Sequence, residues 1–317
     1  DGNNKFTFGY LFGDYNFNRY IGLRGGKIRI PMGLYNQSRD VDMLRTTVFL
    51  PNAVYHDEYY IFFSSYYGIS IYGEFPLGVI GTLEYELFGG TPDEDDESRL
   101  MKNTKIMMQN GFGSDVSYMG MSSSDCFGGA LRWNTPLNGL RFGYSSFFYD
   151  TIMSYEMLGI GTLAIDAKLE PLHVLSAEYV WRDLTVSYEW MRMRRFNDFL
   201  VEGTLVNTEN AITDAWYLNT SYKFNELFEF GAGYSEHYDN KNNREGDGYA
   251  WDHKAWRKDL TLFARFDITD NWLVKVEYHI MDGTAWLPNS GLYSDANSSD
   301  NIKQKWNMIA LKTTFSF

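Results

Sequence analysis

The sequence predicts an all-β protein, a transmembrane antiparallel β-barrel of about 14–16 strands formed as one domain over residues 1–317, and three observations predict it. Apolar and polar residues alternate with a period of two along the chain, short connections alternate with long ones, and aromatic residues crowd the short-connection end of the strands. Composition agrees. Aromatic residues make up 18% of the 317 positions, with 24 Tyr, 29 Gly and only 7 Pro, yet mean hydropathy is -0.37 and no uninterrupted apolar stretch reaches the length of a membrane helix. A lipid-embedded chain that is polar on average must satisfy its backbone by closing a sheet, with its apolar groups hidden in the alternation.

The last strand is the plainest. Ile309, Leu311, Thr313, Phe315 and Phe317 carry apolar or methyl-bearing groups at every second position, and the chain finishes on an aromatic ring. Upstream, the segments 6–17 and 21–30 read as strands, with Gly25-Gly26 expected to hold a bulge that shifts the phase. Further strands are read at 69–75, 79–87, 127–133 and 140–148. Residues 163–181 keep one phase throughout, apolar at every odd position except His173, with Asp166, Lys168, Glu170 and Glu178 on the other face. The same pattern marks 216–224, 228–234, 260–268 and 272–280, each near the ten residues that a tilted membrane strand needs.

Short connections are expected at 16–19, 76–78, 136–139, 182–183, 225–227 and 269–271, all with turn chemistry. Long ones are expected at 32–61, 91–125, 151–161, 196–213, 240–257 and 283–305. Phe17, Phe75, Trp133, Trp181, Phe224, Phe228, Trp272 and Phe317 gather at the short-turn end, where a girdle of rings would sit at headgroup level. The six short and six long connections make thirteen strands, one of them between the turn at 182–183 and the connection at 196–213. An even number is usual, so a further strand is expected ahead of Asp1, between Tyr55 and Gly68, or within 91–125. Asp1 follows no leader, as in a processed or truncated chain.

The inward phase places Arg24, Lys27, Arg29, Glu74, Glu84, Glu86, Arg132, Arg141, Asp166, Lys168, Glu170, Glu178, Arg182, Glu189, Lys223, Glu229, Arg265, Asp267, Lys275, Glu277, His279 and Lys312 on a wet inner wall, with nearly balanced signs and hence no strong ion selectivity. The loop at 32–55 follows the basic strand directly. It carries Arg39, Asp40, Asp42 and Arg45 beside Met43, Leu44, Val48, Phe49 and Leu50, too apolar a mixture to stand in external water. It is expected to fold into the lumen and line the narrowest point, the alternative being a contact between subunits. The single Cys126 excludes an internal disulfide, and the scattered His173, His237, His253 and His279 show no metal-ligand spacing. No catalytic constellation and no cofactor are expected, and the net charge of -13 argues against nucleic acid as a partner. The acidic run Asp93 to Glu97 reads as a solvated loop.

The segment from Arg24 to Asp40, with Gly-Gly-Lys-Ile-Arg-Ile-Pro-Met-Gly-Leu-Tyr-Asn inside it, followed by Arg45 to Pro51, resembles the strand-then-loop signature of bacterial porin-like proteins, broadly the phosphate-selective and general porins. The likeness extends more loosely to residues 134–141, to Ser176-Ala-Glu-Tyr and to the last strand. It implies a passive outer-membrane channel for small polar solutes and ions, often a homotrimer, set among lipid and lipopolysaccharide. Phe315 and Phe317 would belong to the signal read by barrel-assembly machinery. A phosphate-selective pore would show a dense Arg/Lys ladder, which this wall lacks. The second reading is a structural sheath plugged by a partner such as an electron-transfer cytochrome; a barrel enzyme comes third.

Overall fold

The computed structural model describes residues 8–56, 63–93, 105, 109, 116–159, 161–249, 251–287 and 303–316. Thirteen strands form one antiparallel meander, each paired with its neighbours in sequence. They are β1 (Leu11–Asn18), β2 (Ile21–Arg29), β3 (Ser65–Pro76), β4 (Thr82–Pro92), β5 (Val116–Asn134), β6 (Leu140–Met157), β7 (Gly161–Trp181), β8 (Leu184–Val201), β9 (Thr204–Lys223), β10 (Phe228–Tyr238), β11 (Trp256–Thr269), β12 (Trp272–Gly283) and β13 (Lys305–Phe315). The count equals the thirteen read from the sequence; a fourteenth is not among the described residues, and neither is a β1–β13 pairing.

The sheet is nevertheless rolled into a barrel. Asp40 pairs with Arg29 of β2, while Asp42, two residues on, lies 3.0 Å from Lys312 of β13. Eleven strand-to-strand steps separate β2 from β13. At about 4.8 Å per step a flat sheet would hold them roughly 50 Å apart, far beyond the span of two residues and their side chains.

The two faces are inverted relative to a water-soluble protein. Ile309 and Leu311 are each 73% exposed on the outside, whereas Lys275 and Glu189 are fully buried inside. Bare aliphatic groups around the whole circumference fit hydrocarbon and not water, so the outer face is a lipid face. Its lower edge is the aromatic girdle: Phe75 stacks on Tyr85 at 5.4 Å, Trp133 on Phe142 at 5.8 Å, Phe224 on Phe228 at 5.6 Å and Trp272 on Phe315 at 5.1 Å. Phe317 lies outside the described residues.

Four expectations need correction. No register shift interrupts β2 at Gly25-Gly26: Lys27 faces Tyr67, Gly25 faces Ile69 and Arg24 faces Ser70 in unbroken order. Gly26 (φ 138°) is required because a Cβ there would lie 2.5 Å from the Leu11 carbonyl oxygen across the pair. With one phase running through, Arg24 points inward but Lys27 stands on the outer face of Tyr67 and Ile69, over the Tyr67 ring and paired with Asp93 at 2.6 Å. Arg29 has the same parity as Lys27; it ends β2, buried against Asp40, and still borders the inner cavity that holds Arg24 and Glu86.

Second, β7 does not keep one phase. Its register to β8 shifts between Leu169 and His173, around Pro171, which has no N–H for the ladder. Below the bulge Leu175 is exposed and Ser176 buried; above it Leu163, Ile165 and Leu169 are buried, so Asp166, Lys168 and Glu170 face outward. Third, the loops expected at 151–161 and 196–213 are mostly strand, β8 and β9 joining through Glu202 (φ 48°) and Gly203 (φ 76°) in a two-residue hairpin turn. Fourth, the interior is not wet throughout. Inward-facing Phe147, Tyr149, Tyr155, Val174, Met191 and Met193 pack with Ile30, Met32, Val54 and Tyr55 into a dry core on the long-loop side.

Candidate functional site: a loop folded into the lumen

The chain leaves β2 as Ile30-Pro31, turns inward and returns at Phe63, and residues 33–56 of this loop rest on polar side chains from β4, β5, β6, β8 and each of β10 to β13. Apolar residues alone would not fix its position. Its exact placement comes from hydrogen bonds between loop backbone and wall carboxylates.

The strongest anchor is Glu189 of β8. Its Oε1 accepts from the Leu34 N–H at 2.8 Å and the Ser176 hydroxyl at 2.6 Å, and its Oε2 from Tyr55 at 2.5 Å and Tyr217 at 2.7 Å. Burial, then the Glu189 charge, pushes the Tyr55 hydroxyl well up, so it remains a donor. Glu277 of β12 holds the far end, taking the Val48 N–H at 2.7 Å and the Phe49 N–H at 3.3 Å. Cations take the carbonyls: Lys275 Nζ donates to Asp42 O at 2.6 Å and Thr47 O at 3.2 Å, Arg265 to Met43 O at 2.7 Å and Arg45 O at 3.2 Å. A carboxylate accepts two N–H groups at the fork where a turn presents them, and an ammonium accepts none, so this division of labour follows from the donor inventory.

Asp42 is the ionic knot. A 3-10 turn at Asp42–Leu44 presents its carboxylate to Lys275 Nζ at 3.1 Å, Lys312 Nζ at 3.0 Å, Arg45 at 3.2 Å and the Thr314 hydroxyl at 2.6 Å. Burial by itself would raise this carboxyl; the Thr314 and Lys312 hydrogen bonds and the Lys275 charge outweigh it and hold the group at about 2. Arg45 also clasps its own loop through Arg39 O at 2.6 Å and Val48 O at 3.4 Å, and Arg39 reaches Asn36 at 3.0 Å.

Two polar cavities lie on the short-turn side of the loop. One, about 460 Å³, brings together Arg24, Glu74, Glu84, Glu86 and Arg132. Arg24 joins Asp14 at 2.7 Å and Glu86 at 3.3 Å with its guanidinium 3.9 Å from the Tyr72 ring centre, and Gln37 of the loop bridges Glu86 at 3.0 Å to Arg132 at 2.7 Å. Glu74 is tied to Arg19 at 2.6 Å and Glu84 to Asn134 at 2.6 Å. The other, about 220 Å³, is lined by Arg45, Glu178, Glu229 and Arg265. Arg141 pairs with Glu178 at 2.8 Å. Lys223 stays at the short-turn rim, paired with Glu226 at 2.9 Å. Thr47, Leu50, Pro51, Asn219 and Phe263 face both this second cavity and a third on the long-loop side, and so form the partition between the two ends of the lumen.

Asn36, Gln37 and Tyr55 carry much of the docking and were not singled out from the sequence. Asn36 Nδ2 donates to Ile30 O at 2.8 Å and Phe63 O at 2.5 Å, closing the neck of the loop. Asn36 follows Tyr35 at the end of the porin-like signature, which was the available signal.

No family model matches the chain, and no curated protein does. Solved structures do share its fold. In-vitro folded OmpT, an outer membrane protein of Vibrio cholerae, superposes with TM-score 0.52 at 12% identity over 96% of this chain and 88% of that one. The anion-selective porin from Comamonas acidovorans gives 0.51 at 14% identity over 84% and 65%, so this chain spans about two thirds of its length. The outer membrane channel DcaP of Acinetobacter baumannii gives 0.50 at 10% identity over 93% and 71%. The likeness assigns the fold of bacterial outer-membrane β-barrels.

Proposed function

We propose that this chain is an outer-membrane porin, a passive and non-enzymatic channel for small polar solutes and ions, whose narrowest point is set by the loop at 33–56. The observation that carries the reading is the docking of that loop on inward-pointing charges, with polar cavities beneath it and a partition only a few residues thick. A lumen that invests its charges in holding its own loop constricts the path without a partner. A sheath would need that same space for the protein it encloses, which favours the channel. The wall presents both signs in close pairs, so the channel has modest selectivity between anions and cations.

Purified, heat-modifiable barrel added to a planar bilayer gives ohmic current steps with a reversal potential near zero under a salt gradient. Persistent silence across detergents and voltages, or copurification with a haem protein, would instead mark the sheath.

A further inference from the structure

We propose that Asn219 is the specificity-determining residue of the channel and that Gly233 keeps its side chain clear of the path. The proposal rests on the channel reading and names the pair that sets its aperture. Asn219 of β9 and Gly233 of β10 are direct cross-strand partners on the inner face, as are Gly231 of β10 and Phe263 of β11. A strand neighbour without a side chain leaves a seat on the wall, and each partner lies down in one. A Cβ at Gly233 would collide with Asn219 Oδ1 and lie 3.0 Å from its Cγ, so the amide rests on the bare backbone of β10. A Cβ at Gly231 would lie 2.5 Å from Phe263 Cζ, and the seated ring is only 3% exposed.

Both seated side chains belong to the partition with Thr47, Leu50 and Pro51, and none of these residues carries a charge. The charged groups nearby hold the loop: Glu229 takes the Thr46 hydroxyl, Glu277 the Val48 N–H, and Lys275 and Arg265 loop carbonyls. The Asn219 amide and the Thr47 hydroxyl, by contrast, make no hydrogen bond among the described residues. One free amide on the wall and one free hydroxyl on the loop both donate and accept, which suits a polar solute shedding water at the narrowest point. The seat of Asn219 is also the one that can be filled without moving the strand. The backbone atom nearest an added Cβ at Gly233 is Leu218 O at an ordinary 3.5 Å, so a methyl there displaces only the end of a flexible side chain and lifts the amide off the wall into the aperture. At Gly231 the same methyl would press on Thr220 O at 2.5 Å, and the strand itself would have to shift.

The experiment compares single-channel conductance and reversal potential of heat-modifiable barrels in planar bilayers. Gly233→Ala lowers conductance at least about twofold, and adding Asn219→Ala to it restores the current, which a general distortion of the barrel would not allow. Ala232→Leu, one position away on the exposed lipid face, leaves conductance as it was. Asn219→Asp, of the same shape, moves the reversal potential toward cations. Unchanged conductance in Gly233→Ala, an equal fall in Ala232→Leu, no recovery in the double variant, or an unmoved reversal potential in Asn219→Asp overturns the proposal. Where Gly233→Ala fails to assemble, Asn219→Cys serves, since Cys126 is buried. A cationic methanethiosulfonate added to that assembled barrel lowers the current from either side, and insensitivity from either side overturns the proposal. An unaltered barrel that carries no current sinks the channel reading and this proposal with it; a conducting barrel that these variants leave unchanged sinks this proposal alone.

Discussion

Asp42 and Glu189 show how single carboxylates do opposite work inside one lumen. Asp42 gathers cations, so its carboxyl is held at about 2, below the ordinary value near 3.9. A group whose folded pKa is depressed contributes its full stabilisation above the unfolded pKa and loses it as pH falls through the folded one. The loop is therefore anchored at neutral pH down to about 4, and the Asp42 contribution disappears between about 4 and 2. Single-channel conductance should stay level to about pH 4 and then rise, whereas Asp42→Asn should show the raised value at neutral pH and lack the acid step; the same step in both proteins would refute this role. Glu189 instead accepts four donors, from Leu34, Ser176, Tyr55 and Tyr217. Glu189→Gln replaces an acceptor by an amide donor facing hydroxyls and should loosen the loop by about 2–4 kcal/mol. Faster trypsin cleavage after Arg39 and Arg45 in the folded barrel is the readout, and an unchanged cleavage rate would show that the apolar contacts suffice.

At the scale of the element, the loop and β7 teach different lessons. The loop was legible because its composition conflicts with external water: apolar residues interleaved with four charges require both a greasy partner and polar ones. Shortening residues 42–50 should raise conductance in a correctly assembled barrel, since Thr47 and Leu50 belong to the partition. Replacing Arg39 and Arg45 by Glu should move the reversal potential toward cations and also raise conductance, because Arg45→Glu sets a second carboxylate beside Asp42. If neither quantity changes, the constriction lies elsewhere. In β7 alternation misled, because a bulge at Pro171 inverts the phase without altering the sequence pattern on either side. The odd positions are apolar above and below it, but above it they meet the dry core and below it lipid.

For the whole molecule, the decisive feature is inversion of inside and outside. Leu311 and Ala310 are neighbours on β13 and face lipid and lumen respectively. Leu311→Arg should destabilise the barrel in bilayers by about 2–4 kcal/mol, and Ala310→Arg by much less, measured by urea-dependent folding into vesicles. Equal costs would contradict the assignment of faces. The barrel also explains where sequence reading lost the strand ends. Within the lipid band one face must be apolar, so alternation is enforced; beyond it β8 and β9 run on through residues such as Asn207 and Glu209 with water outside, and nothing enforces the pattern.

The amino-acid sequence by itself determined the class of fold, the thirteen membrane strands, their order, the lipid face of most of them and the inward course of one loop. Each of those follows from a local rule: a strand side chain alternates, a turn needs particular residues, and apolar groups leave water. Tertiary structure decided the rest. Lys27 and the upper half of β7 were placed by backbone register at Gly26 and Pro171, which no side-chain pattern encodes. The dry core, the Asp42 knot and the Glu189 cradle were decided by the rolling of the sheet, because their members come from strands far apart in sequence and meet only when its curvature brings β2 and β13 to the same short stretch of loop.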